Sequence, residues 1–298
     1  MSNPLQDAKD KGWPIVVSYG VGVDSTAMLV GMAAQRIRPD LILFSDTGSE
    51  WPDTYAYLKV IGPWLERVGF PLITVTRYKP TEKINAATYV SLYDNCINNQ
   101  TLPGLAYGKK SCSMKFKREP MDKLVLASFR GVENIARCIG YDAGPIDSKR
   151  AWKIADEKPF RYVYPLREWG WARPECMEQI RRAGLPVPHK SACFFCPAMK
   201  PSEVRDVVER HPHLADMIIA MEAAAIPWHA SRAERGIEDE GGGSGKTTEG
   251  LWGHRRSFDG RPGTMTEYIN SIRAGRLDPC IIDAADETAA TLAGPYCP

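Results

Sequence analysis

An apolar, β-branched run, Ile15-Val16-Val17, ends in the turn Ser18-Tyr19-Gly20-Val21-Gly22-Val23-Asp24-Ser25. Residues 24–36 then place Met28, Leu29 and Met32 at helical spacing. Strand, tight glycine turn and helix form a unit that must bury its strand on both faces, and the unit recurs. Residues 41–44 read as a second buried strand, followed by Ser45-Asp46-Thr47-Gly48 and a helix opening near Pro52, a favoured first helical position. A third strand is predicted over 72–76, and further ones over 135–141 and 162–166. Helices are predicted over 174–183, 201–211, 213–224 and 265–274. Strands alternating with helices in this way specify an α/β chain with a parallel sheet and right-handed crossovers.

The first turn has the chemistry of an anion site. Backbone N–H groups at a helix start point outward with the positive end of the helix dipole, and Gly20 and Gly22 let a phosphate approach without a Cβ in the way. Ser18, Ser25 and Thr26 supply hydroxyls. Asp24 either caps the helix or orients a magnesium-bound nucleotide. The plainer reading is two glycines closing a tight turn. A second glycine-rich stretch, Gly243-Ser244-Gly245-Lys246-Thr247, follows Glu238-Asp239-Glu240 with no strand before it, so it reads as part of a flexible linker over 233–250.

The 298 residues carry a net charge of +2 with 25% charged residues, which gives no field strong enough to make nucleic acid or membrane the default partner. No apolar stretch reaches the length of a membrane span, and the first residues show no export signal, so a soluble, cytoplasmic protein is expected. In that compartment the eight cysteines stay reduced, and metal or catalytic roles outrank disulfides. Only Cys193 and Cys196 have local metal-ligand spacing. With Cys112 and His189 they would make a tetrahedral zinc set, while as a bare pair they read as a redox dithiol or as buried packing residues. Cys138 and Cys176 read as packing residues. Lys109, Lys110, Lys115, Lys117, Arg118, Lys149 and Arg150 concentrate positive charge suited to phosphate or sulfate, or form a solvated face. Phe160, Tyr162, Tyr164, Trp169 and Trp171 either stack a base or alternate along a half-buried strand.

Gly22-Val23-Asp24-Ser25-Thr26 after a strand resembles the pyrophosphatase loop (PP-loop) of the adenine-nucleotide alpha hydrolases. Asp46-Thr47-Gly48 with Pro52-Asp53-Thr54-Tyr55 resembles the corresponding stretch of the phosphoadenosine-phosphosulfate (PAPS) reductases. Cys112 to Lys117, Gly140-Tyr141 with Arg150, Tyr164-Pro165-Leu166 and Cys193-x-x-Cys196-Pro197 follow in that family's order. The resemblance covers about residues 13–200. It implies a Rossmann-like (HUP-type) parallel sheet with helices on both faces over 13–200, and a cysteine-containing helical extension over 201–298.

The resemblance also implies an adenine nucleotide, ATP or of the PAPS type, with Mg²⁺, held by Ser18, Gly20, Gly22, Asp24, Ser25, Thr26, Asp46, Thr47 and Gly48. Asp24, Lys115 and Arg150 would be catalytic. A [4Fe-4S] cluster on Cys112, Cys193 and Cys196, with Cys96 as a fourth ligand or the fourth position open, follows from it as well, with zinc the alternative. Three activities remain open. One is reduction or transfer of adenylyl-sulfate sulfur, with a thioredoxin-like or other sulfur or electron donor. Another is an AMP-forming sulfurtransferase acting on a nucleobase in tRNA or DNA, and the last is a nucleotide- or cluster-sensing module without turnover. The family's C-terminal Glu-Cys-Gly-x-His is replaced here by Gly294-Pro295-Tyr296-Cys297-Pro298, which favours the second.

Overall fold

The computed structural model describes residues 4–80, 91–234, 250–253 and 262–276. In chain order the elements are α1 (Pro4–Asp10), β1 (Ile15–Ser18), α2 (Val23–Ala34), β2 (Leu41–Ser45), α3 (Pro52–Arg67), β3 (Ile73–Thr76) and α4 (Leu92–Asn98). A single turn α5 (Ser111–Ser113) leads through a wider π-type turn to α6 (Glu119–Ser128) and β4 (Ile135–Ile139). Then come α7 (Pro145–Ala151), β5 (Phe160–Val163), α8 (Pro165–Glu168), α9 (Arg173–Arg182), α10 (Pro201–Arg210), α11 (Pro212–Glu234) and α12 (Met265–Arg273).

Contacts sort the chain into two compact units. The first holds residues 1–79 and 115–192, and the second holds 80–114 and 193–298. In the first unit five parallel strands form one sheet in the order β3-β2-β1-β4-β5. One face buries Val17, Ile42, Phe44 and Cys138 under α2, α3 and α9, where Met28, Leu29, Ile61, Leu65 and Ile180 lie. The other face buries Val16, Leu43, Ile135 and Phe160 under Val125 of α6. Burial on both faces is why β1 and β2 are continuous apolar runs rather than alternating ones. Gly31 lets α2 lie against Trp169, whose ring would stand 2.1 Å from any Cβ at that position.

Several boundaries differ from the sequence reading: the helix read over 213–224 runs from Pro212 to Glu234, and the strand read over 135–141 ends at Ile139. The fifth strand is not 162–166: it spans Phe160–Val163, because Pro165 has no N–H for the ladder and instead opens α8. The helix read to residue 36 stops at Ala34, and Arg36 adopts a left-handed φ of 56°. Trp169 and Trp171 pack on each other at 5.0 Å against the core.

In the second unit α10, α11 and α12 pack together, and α4 packs on α11. Glu222 on α11 accepts from the backbone N–H groups of Leu251, Met265 and Thr266, stapling two segments to that helix. Among the described residues no helix is long and apolar enough to cross a membrane. Most of the 233–250 linker, the 243–247 glycine segment, Cys280 and Cys297 lie outside the described residues.

Candidate functional site

The strand order reverses at β1, with β2 on one side and β4 on the other, so the chains leaving β1 and β4 part and leave a crevice at the carboxyl end of the sheet. The turn after β1 lies there. Gly20 is exposed, and Gly22 precedes α2 with extended backbone and no side-chain cap, so the first-turn amides of α2 have neither an intrahelical acceptor nor a capping oxygen. Val21 between the glycines has φ 61°, a left-handed conformation strained for a β-branched residue. Its buried side chain anchors it in the core. The chain leaving β4 presses on the same turn: a Cβ on Gly140 would stand 2.8 Å from the Ser25 backbone.

Three carboxylates converge at this point. Asp24, Asp142 and Asp147 offer oxygens that all lie within 4.8 Å of one another, the one group of three or more potential metal ligands so gathered among the described residues. One guanidinium nitrogen of Arg173 donates to both oxygens of Asp24, at 2.9 Å each. Arg150 donates to Asp147 at 2.8 Å, the Asp142 amide donates to Asp147 at 3.4 Å, and Asp142 accepts from the Gly144 amide at 2.8 Å. Burial pushes the Asp24 carboxyl above its ordinary value against the pull of Arg173, and the Asp142 and Asp147 charges add to the rise. Hard oxygen donors in this number suit Mg²⁺, which takes one or two carboxylates together with substrate phosphates. Just beyond β4 and β5, Tyr141 and Tyr164 stack at 5.7 Å and an interplanar angle of 5°. Burial pushes the Tyr164 phenol up to about 12.

The other expected ligands are placed as follows. The Ser18 hydroxyl accepts from Arg137 Nε at 2.9 Å, and that of Ser25 donates back to the Gly22 carbonyl at 3.2 Å. Thr26 is fully buried, 3.1 Å from the Tyr19 phenol, so its side chain fastens α2 to the residue that follows β1. After β2, Asp46 accepts from the Gly48 amide and the Tyr55 phenol at 2.7 Å each and from Arg77 Nε at 2.9 Å. Gly48 has φ 68°, which its lack of a Cβ permits. Thr47 donates to Glu50 at 3.0 Å, and Lys117 pairs with the same oxygen of that buried carboxylate at 2.8 Å. Asp46 and Thr47 are therefore buried parts of a self-bonded loop. Lys115 lies over the Tyr78 and Phe116 rings, at 4.9 and 5.4 Å, beside the carboxyl ends of β2 and β3. Arg150 lies on the carboxylate group after β4.

Cys96, Cys112, Cys193 and Cys196 all fall in the second unit. Cys96 and Cys193 are buried, and the Cys196 amide donates to the Cys193 carbonyl at 3.0 Å, closing a tight turn. Phe194 and Phe195 pack edge to face at 4.8 Å and both meet Tyr93. No three of these sulfurs lie within 4.8 Å of one another. Ligands of one zinc ion, at about 2.3 Å from the metal, stand about 3.8 Å apart. Thiolates of a four-iron cluster bind separate irons and are under no such constraint, and the all-sulfur donor set suits that cluster.

No protein-family model matches the chain, and no curated protein matches it in sequence. Among solved structures it is similar to a phosphoadenylyl-sulfate (PAPS) reductase from Candida auris in complex with phosphate, with 16% identity and a TM-score of 0.43, covering 62% of this chain and 81% of that one.

Asp142, Asp147, Arg173, Glu50 and Arg77 escaped the sequence reading. Asp142 had a usable signal, because it follows the fourth strand, whose end must flank the first if the order reverses there. Arg173 had none: it reaches Asp24 from 149 positions away.

Proposed function

We propose that the chain is an enzyme that binds an adenine nucleotide with Mg²⁺ in the crevice between the ends of β1 and β4 and directs chemistry to the α-phosphate. The observation that carries this reading is the convergence of Asp24, Asp142 and Asp147 on an uncapped helix start. Three carboxylates repel a bare polyanion, so the pairing of an anion site with an acidic site calls for a cation between them. This favours Mg²⁺-ATP over a sulfated nucleotide, and hence AMP-forming transfer over adenylyl-sulfate reduction. Adenine as the base rests on the resemblance of 22–26 and 46–55 to the PP-loop and PAPS reductase motifs.

Asp24, Asp142 and Asp147 would hold the Mg²⁺, which supplies charge neutralisation for the phosphates when bound. The α2 amides and the open backbone of Gly20 and Gly22 bind the phosphate oxygens. Arg173 fixes the Asp24 carboxylate, and Arg150 fixes that of Asp147. The acceptor oxygen forms a bond to the α-phosphorus as the bond to pyrophosphate breaks. Preorganised amides and cations carry the stabilisation of the charge that develops.

The test is the nucleotide product. Purified protein should release pyrophosphate from Mg²⁺-ATP and leave AMP bonded to the acceptor oxygen when an acceptor is present, and Asp142→Asn should lower the rate by about 10²-fold or more. ATP binding should weaken at least about tenfold on chelation of Mg²⁺, which is 1.4 kcal/mol. Thiol-dependent sulfite release from adenylyl sulfates would assign the reductase reaction instead. ATP binding indifferent to Mg²⁺ and to Asp142→Asn would remove the proposal.

A further inference from the structure

The helix that carries Asp147 into the carboxylate group presents a different chemistry on its outer side. On α7 and the residues just after it, Ile146, Lys149, Arg150 and Lys153 recur at spacings of three and four and share one face, and Trp152 lies beside them. Trp152 is 84% exposed and Ile146 68% exposed, the two most exposed large apolar side chains of the described residues. Single exposed apolar residues are ordinary, but an indole left almost wholly in water beside a second apolar side chain marks a contact surface. The surroundings are cationic. Lys149 and Lys153 form no ion pair among the described residues, whereas the acids beside them in the chain are engaged: Asp147 pairs with Arg150 at 2.8 Å, Asp156 with Arg161 at 3.7 Å and Glu157 with Arg118 at 2.7 Å.

We propose that this face of α7 binds single-stranded nucleic acid, with Trp152 stacking on an unpaired base and Lys149 and Lys153 on the flanking phosphates. An indole face framed by cations matches a nucleotide strand, which repeats a π-face and a negative charge. A duplex closes its bases to side-on stacking. A membrane surface is a poorer fit, because seven helical residues span only about 10 Å. Trp152 follows Asp147 by five positions, a rise of about 7.5 Å along a helix. The inference rests on the proposed nucleotide site for the role of the strand as acceptor, but not for its binding.

The experiment is fluorescence anisotropy of the full chain with labelled oligo(dT), oligo(U) and a duplex of equal length. The wild type should bind a single strand in preference to the duplex, and the stronger of the two single strands distinguishes DNA from RNA. Trp152→Ala should weaken binding about tenfold or more, given about 1–3 kcal/mol per stacked base, and Trp152→Phe should restore most of it. Removing two phosphate contacts with Lys149→Ala and Lys153→Ala should flatten the slope of log K against log salt by about 1.4. Mg²⁺-ATP binding, measured on the same proteins by calorimetry, should be unchanged. Failure of ATP binding with oligonucleotide binding intact sinks the nucleotide-site reading alone. Unchanged affinity in Trp152→Ala, equal binding of duplex, or binding to phosphatidylserine vesicles but not to oligonucleotides overturns the strand site.

Discussion

The Asp24 carboxylate is gripped by Arg173, crowded by Asp142 and Asp147, and raised by burial above its ordinary 3.8. A carboxyl with a raised folded-state pKa makes the folded state bind more protons than the unfolded one. Its contribution to stability is therefore full below the ordinary value and is lost as pH rises through the raised one. Asp24→Asn removes that loss. Thermal unfolding of the variant should occur at or above the parent temperature at pH 7–8, with the difference closing as the pH falls below the ordinary carboxyl value. Mg²⁺-ATP turnover of the same variant should fall about 10²-fold or more. A variant that unfolds earlier than the parent at neutral pH would show Asp24 to be stabilising, contrary to the raised pKa. Asp24 was legible in the sequence because it sits in a turn whose glycines and hydroxyls announce an anion. Its partners were not, since nothing local to Asp147 or Arg173 says which strand end they will meet. Thr26 offers the same hydroxyl chemistry in the sequence, and helical phase turns it toward Tyr19.

At the scale of elements, β4 is tied to its neighbours by a charge. Arg137 is buried in mid-strand, donates to Ser18 of β1, pairs with Asp122 of α6 and lies over the Phe160 ring of β5 at 5.2 Å. Removing one partner of such a pair leaves an uncompensated buried cation, whereas replacing both with apolar groups does not. Asp122→Ala should cost about 3 kcal/mol in urea unfolding, the low end of the usual range because Asp122 is partly exposed, and adding Arg137→Met should recover most of it. Additive losses in the double variant would show that the two side chains act separately. The sequence reading located five strands here but not this clamp, since an arginine within Ile135-Ala136-Arg137-Cys138-Ile139 carries no sign of its partners. Strand positions came from apolar runs, and their order in the sheet from nothing local. The fifth strand slipped because the aromatic alternation of Tyr162 and Tyr164 continues past the point where Pro165 ends the ladder.

For the molecule as a whole, the informative fact is which residues share a unit. Cys96 and Cys112 precede β4, yet their contacts place them with Cys193 and Cys196, far along the chain, while the sheet and the carboxylate group belong to the other unit. The sequence reading divided the chain at 200/201, with a linker over 233–250; the contacts part at 79/80, 114/115 and 192/193. If the four thiols hold an iron–sulfur cluster, metal and nucleotide stabilise different parts of the chain. Protein purified without oxygen should then carry about four irons and four sulfides per chain. Cys193→Ser should lose most of the iron and lower the unfolding temperature of the second unit, while leaving Mg²⁺-ATP affinity within about twofold, because the residues named for the phosphate site belong to the first unit. Stoichiometric zinc without iron would assign the cysteines to a single ion and require the sulfurs to close to about 3.8 Å on binding. Metal-free protein with an unaltered Cys193→Ser variant would leave the thiols as packing residues.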